Sequence, residues 1–97
     1  MIFEWNTEKS KANLKKHGIS FKEAEIAFED FYAIEEFDAE HSTADESRFK
    51  MLAMAGEEII VVAYTMRGES FRIISARKAE KYERKLYERQ RSEGFSE

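Results

Sequence analysis

Nine basic residues stand against four acidic ones between Arg67 and Arg91, and six of the nine are arginines. The guanidinium fork matches phosphate geometry, so a phosphate-bearing partner would meet the chain here. The plainer alternative is a charged helix that is simply solvated. Arg77 falls where a strand is expected to hand over to a helix, whose N-terminal N–H groups would add to the pull on an anion. Its other role would be a salt bridge to Glu80 or Glu83. Arg72 lies on the same expected strand, Arg67 on a hairpin, and Arg48 and Lys50 share one face of a neighbouring strand. His17 and His41 are the side chains whose ordinary pKa suits proton transfer near neutrality. His17 also sits where a helix end commonly carries a basic residue, and His41 lies in an acidic stretch. Two histidines and no cysteine are too few for a zinc site, so no metal or other cofactor is expected. The chain has no Gly-rich phosphate loop and no nucleophile elbow, which argues against nucleotide phosphoryl transfer and acyl hydrolysis.

These side chains need a scaffold, and the pattern predicts one. Ile2, Phe3 and Trp5 open a strand, and Asn6 caps a helix over Thr7 to His17 that stops at Lys15-Lys16-His17-Gly18. Ser20 and Glu23 form a capping box for a second helix with Phe21, Ala24, Ala27, Phe28 and Phe31 as its apolar stripe. Tyr32 to Phe37 reads as a strand with imperfect alternation. Arg48 to Ala55, Glu58 to Met66 and Ser70 to Ala76 follow as a meander, with turns at Gly56-Glu57 and Arg67-Gly68-Glu69. The middle run, Ile59 to Tyr64, is apolar on both faces and belongs in the centre of the sheet. In the third, simple alternation sends Phe71, Ile73 and Ser75 one way and Arg72, Ile74 and Ala76 the other. A last helix runs from about Lys78 into the Arg91 region, with Ala79, Tyr82 and Leu86 as its buried stripe, and Gly94 to Glu97 form a frayed tail. The fold class is α+β: a small, mostly antiparallel sheet, built from the three-strand meander plus N-terminal strands, packed by two N-terminal helices and one C-terminal helix.

At 97 residues, one domain over 1–93 is expected. No apolar run is long enough to span a bilayer and no signal core follows Met1, which directs the chain to the cytoplasm without a membrane partner. The net charge of −4 argues against indiscriminate nucleic-acid binding, yet its distribution is uneven. Residues 1–47 carry −7 and residues 48–97 carry +3. Between Glu29 and Glu46 there are eight acidic residues and no Lys or Arg, a segment able to shield a basic surface or attract a basic partner.

Phe3-Glu4-Trp5-Asn6, Lys9, Asn13, Lys16-His17-Gly18, Phe21, Ala24 and Phe28 carry a resemblance. It continues through His41, Arg48, Gly56, Val61-Val62, Arg67-Gly68, Arg72-Ile73-Ile74-Ser75-Ala76-Arg77, Glu83 and Tyr87. Taken in order and at this spacing, the sequence resembles the BrnT toxins of type II toxin-antitoxin systems. Asn6 departs from the aspartate common at that position, and the Ala39 to Ser47 segment departs as well. The resemblance implies a fold similar to the RelE endoribonucleases and a metal-independent ribonuclease that arrests growth. It also implies a BrnA-like antitoxin that neutralises the toxin in a heterotetramer and supplies all contact with operator DNA.

RNA cleavage without a metal uses the ribose 2′-hydroxyl as nucleophile, so the enzyme must move protons and steady an anionic phosphorane. On that reading Arg77 and Arg72 stabilise charge, and His17, Lys16, Glu83 or Tyr64 serve proton transfer. Arg48, Lys50 and Arg67 extend the basic surface toward RNA. Trp5 and Tyr64 offer ring faces for stacking on bases, although Trp5 reads first as core. A non-catalytic module acting as co-repressor with its partner is the alternative function, and a direct DNA-binding regulator a third.

Overall fold

The computed structural model describes residues 1–94. Strand β1 (Ile2–Glu4) leads into α1 (Thr7–His17) and α2 (Phe21–Ala24), and the chain tightens into a 3-10 turn over Glu25–Glu29. Next come β2 (Ile34–Phe37), β3 (Arg48–Ala55), β4 (Glu58–Arg67), β5 (Ser70–Lys78) and α3 (Lys81–Gly94). The strands form one five-stranded open sheet in the order β1-β5-β4-β3-β2. It is mixed: β1 runs parallel to β5, and every other pair is antiparallel. The architecture is α+β, and the strand expected at the centre is central. Gly94 closes α3 instead of opening the expected tail, and residues 95–97 lie outside the described residues. Among the described residues no helix is long and apolar enough to cross a membrane.

Local signals set the first helices. The Asn6 side chain accepts from the backbone N–H groups of Glu8 and Lys9 at 2.9 and 3.1 Å, and Gly18 ends α1 at φ 74°, a conformation glycine adopts without a Cβ clash. Ser20 and Glu23 make both bonds of the capping box. The second helix is shorter than its apolar stripe suggests. Asp30 ends it by accepting from the N–H groups of Tyr32 (2.9 Å) and Met54 (2.8 Å) and from the Tyr87 hydroxyl. Phe28 still packs on the core, but Phe31, beyond the break in helical spacing, is 91% exposed.

The two sheet faces differ. One carries Phe49, Met51 and Ala53 of β3, Ile60, Val62 and Tyr64 of β4, and Phe71, Ile73 and Ala76 of β5, packed with Phe21, Ala24 and Ala27. The other buries Leu52, Ile59 and Val61 with Ala79 and Tyr87 at one end only. Ala76 belongs to the first face, against the expected alternation. A register shift opposite Ala63/Tyr64 pairs Ala63 with Ser75 and Tyr64 with Ile73, so Ile74 is the extra residue of a bulge. Beyond it the phase of β5 reverses, and Ser75 and Arg77 join Arg72 on the second face.

The unpaired edge of β5 is covered by α1. Asn13, buried, accepts from the Ala76 N–H (3.1 Å) and donates to the Ala76 carbonyl (2.7 Å) and the Ile19 carbonyl (2.8 Å), replacing a missing strand. At the far end α3 starts at Lys81, later than expected, so its inward stripe is Glu83, Tyr87 and Arg91. Tyr82 and Leu86, expected to be buried, are exposed. Tyr87 is fully buried, and its hydroxyl is satisfied by Asp30; burial first, then that carboxylate, pushes its pKa up to about 12.

Candidate active site

The second face of the sheet is covered by α3 only over Leu52, Val61 and their neighbours, and past them it turns cationic. Pairing aligns Arg48, Thr65 and Arg72 in one row and Lys50, Ala63 and Ser75 in the next, with Leu52, Val61 and Arg77 beyond. Neighbouring strands stand about 4.8 Å apart and alternate residues of one strand about 6.8 Å apart, so these four cations frame a patch roughly 10 Å wide and about 14 Å long. Five positions separate Arg72 from Arg77, an odd number that regular alternation would split between opposite faces. The bulge at Ile74 is what brings them to one side. Over the short side chains of Ala63 and Ser75 lies a cleft of about 260 Å³ lined by Asp38, His41, Arg48, Lys50, Ala63, Ile74 and Ser75, with Arg72 and Arg77 outside its lining.

Each cation already has an acidic neighbour. Arg48 Nε donates to Glu46 at 2.8 Å, Arg67 lies 3.8 Å from the same carboxylate, and Arg72 lies 3.9 Å from Glu4. The hydrogen bond from Arg48, with the charges of Arg67 and Arg72 behind it, holds Glu46 below the usual carboxylate range. Glu46 and Asp38, which sits 4.0 Å from Lys50, come from the acidic segment, so that segment does lie against the basic face. Arg77 is on β5 itself, before the helix begins. Two of its nitrogens donate to Glu83 at 2.8 and 3.0 Å, and Glu83 also accepts from the Glu80 N–H at 2.8 Å. That pair raises the arginine and lowers the glutamate. The anion at the start of α3 is therefore the chain's own Glu83, the salt-bridge alternative for Arg77, while about a third of the Arg77 side chain stays exposed.

The remaining candidates lie elsewhere. Tyr64 is 5% exposed on the opposite face, stacked on Phe49 at 5.6 Å, and its hydroxyl donates to Glu35 at 2.9 Å. Burial, then Glu35, raises its pKa. With its ring enclosed by Phe28, Phe49 and Phe71, it cannot reach a base over the cationic face. Trp5 packs edge-on against Phe21 in the same core. His17 and Lys16 line a separate shallow cleft with Lys9, Ala12 and Asn13, which touches the cationic cleft only through Ile74 and Ser75.

Sequence reasoning passed over Asp38 and set His41 aside as exposed. The His41 ring Nδ1 is 2.8 Å from Asp38 Oδ2, and the pair lines the cleft. The Asp38-x-x-His41 spacing was the available signal. Asp38, Glu40 and His41 bring three donor atoms within 4.8 Å of one another, and the Arg48 and Lys50 cations line the same cleft as Asp38 and His41.

No curated protein matches the chain. A family model described as the ribonuclease toxin BrnT of type II toxin-antitoxin systems matches residues 5–83, a span that contains β2 to β5, all four framing cations and Glu83 but begins just after β1. The chain belongs to the BrnT ribonuclease toxin family.

Proposed function

We propose that this protein is a metal-independent endoribonuclease whose catalytic surface is the cationic patch on the open half of the sheet, and that a BrnA-like antitoxin neutralises it in the cytoplasm. Family membership carries an RNA substrate and an antitoxin partner. The finer reading rests on one observation above all: the bulge at Ile74 turns Ser75 and Arg77 onto the face that already holds Arg72, Arg48 and Lys50, so that small residues floor the cleft lined by Arg48 and Lys50. Bulges commonly re-aim side chains beside active sites.

In this reading the scissile phosphate lies over Ala63 and Ser75. Arg72 and Arg48 meet the charge that builds on the phosphorane, where a preorganised cation is worth about 10²–10³ in rate. Glu46 now holds an anionic group among Arg48, Arg67 and Arg72, and RNA phosphate replaces it there. Arg77, tied to Glu83, fixes the helix end of the patch and lends it charge. Lys16 and His17 extend the basic track past Ser75 for the flanking strand. The fold is RelE-like on this account, the active unit is residues 1–93, and operator DNA is reached only through the antitoxin in a heterotetramer.

The test joins growth and chemistry. Induced alone, the native chain arrests growth, the neighbouring reading frame relieves the arrest, and purified protein cleaves RNA in EDTA. Arg72→Ala and Arg48→Ala each reduce cleavage about 100-fold while the fold survives. Ala63→Leu, which fills the floor without altering charge, does the same. Unimpeded growth with soluble native protein, or cleavage unaffected by all three variants, would overturn the assignment and leave a co-repressor module.

A further inference from the structure

Cations can steady a phosphorane but leave the 2′-hydroxyl proton where it is, so the patch needs a base. The segment between β2 and β3 supplies one. It is pinned at both ends: the Asp38 N–H donates to the Arg48 carbonyl at 2.8 Å, and Ser42 Oγ donates to the Asp38 carbonyl at 2.7 Å while accepting from the Arg48 N–H at 2.8 Å. The Asp38 side chain is only 9% exposed, whereas His41 is 53% exposed at the cleft mouth. Asp38 Oδ1 accepts from the His41 backbone N–H at 3.3 Å and Oδ2 faces the ring Nδ1 at 2.8 Å. Burial pushes the Asp38 carboxyl up, but the His41 bonds and the charge of Lys50 more than offset it and hold Asp38 ionised. An ionised carboxylate only accepts, so Nδ1 carries the hydrogen, and the lone pair of the neutral ring is the one on Nε2. A carboxylate that fixes the tautomer of a histidine in this way orients it as a base.

We propose that His41, oriented by Asp38, takes the proton from the attacking 2′-hydroxyl of the RNA; this rests on the ribonuclease reading above. The O2′–H bond breaks toward Nε2, the oxygen pair forms the bond to phosphorus, and the P–O5′ bond breaks. The 5′-oxygen takes a proton from solvent water and His41 returns its own to solvent, so no proton is consumed. The products are a 2′,3′-cyclic phosphate and a 5′-hydroxyl. Facing the ring are Asp38 and Glu40 of its own loop and Arg48 and Lys50 of β3, with neutral Ala63 of β4 and Ile74 and Ser75 of β5 as the floor, and Glu46 is bonded to Arg48. Asp38 is a positioning residue, since it reaches the substrate only through His41.

The experiment is single-turnover cleavage of a labelled RNA by the full chain across pH. His41→Ala is expected to slow cleavage about 100-fold or more and to remove the acid limb of the profile, and added imidazole to restore part of the rate. Asp38→Asn is expected to slow it at least about tenfold, because the tautomer is no longer imposed, and to shift that limb, because the carboxylate charge beside the ring is removed. A His41→Ala rate within roughly threefold of native overturns the proposal while leaving the ribonuclease reading intact. Loss without imidazole rescue and with an unmoved pH profile overturns it as well, since the loop would then matter only structurally. Cleavage abolished by EDTA and restored by magnesium assigns the loop to a cation and overturns it. A native chain inert on RNA at every pH removes both readings together.

Discussion

The two faces of this sheet are made from the same strands, yet one is sealed and the other is half open. Phe3, Phe28, Phe49, Tyr64 and Phe71 form a run of ring contacts on the sealed face, with centroids 4.9–5.8 Å apart. On the open face α3 shelters Leu52 and Val61, and the next two rows hold Arg48, Lys50, Arg72, Ala63, Thr65 and Ser75. Stability and function are thereby divided by side of the sheet. Burying aromatic rings on one face anchors the strands, and that rigidity lets long charged side chains on the other be held at fixed spacing without a core of their own.

The comparison breaks most sharply at Phe21, the first residue of α2, which is fully buried on the sealed face. Phe21→Ala removes a whole ring from a close-packed site and is expected to cost about 3–5 kcal/mol. Denaturant unfolding would measure it, and the RNA-binding affinity of the molecules that remain folded should be unchanged. Equal losses of stability from Phe21→Ala and Arg72→Ala would mean that the two faces are not divided as described.

A smaller effect sharpens the comparison on the open face, at the end where α3 covers it. Tyr87→Phe keeps the ring but leaves Asp30 without its phenol partner, although Met54 and Tyr32 still donate to it. The expected loss is about 1–3 kcal/mol, with α3 the first element to exchange its amide hydrogens. Uniform exchange across the whole chain would contradict an α3 held chiefly through this contact.

The elements set by local chemistry were legible in the sequence. Asn6 and Gly18 bound α1 at its observed ends, the capping box at Ser20 starts α2, and the glycine turns separate β3, β4 and β5. What escaped notice depends on partners distant in sequence. Asp30 stops the second helix because Met54 and Tyr87 come to it, and nothing near Asp30 announces either. The bulge at Ile74 breaks an alternation that reads as regular, so Ser75 and Ala76 were assigned to the wrong faces. The site was legible in part for the same reason. Arg48, Lys50 and Arg72 lie on strands whose faces the pattern gives. Tyr64 lies on a strand apolar on both sides, where only its alternation with Ile60 and Val62 hinted at the sealed face. Asn13, read as one residue of a resemblance, turned out to close the β5 edge.

The smallest expected effect tests whether Glu83 belongs to the stability side of the division or to the chemistry. The hydrogen bond from Arg77, ahead of the opposing push of burial, holds the folded-state pKa of Glu83 below its ordinary 4.5. A depressed carboxylate stabilises the fold above its unfolded pKa, and that stabilisation is lost as pH falls through the folded value. Glu83→Gln should therefore be less stable than the native chain by about 1 kcal/mol at neutral pH. The gap should begin to narrow as pH drops below about 4.5, where the unfolded chain takes up the proton, and close once the folded pair is itself protonated at lower pH. Asp30, Asp38 and Glu46 are also depressed and contribute to the acid limb of both proteins, so the difference between the two melting curves is the quantity to follow. If the gap closes while RNA cleavage by Glu83→Gln stays near native, Glu83 is the structural partner that fixes Arg77 and the end of α3. If cleavage collapses at neutral pH with little change in melting, the carboxylate works on the substrate, and the boundary between the sealed and the catalytic parts of the sheet moves to include the first turn of α3.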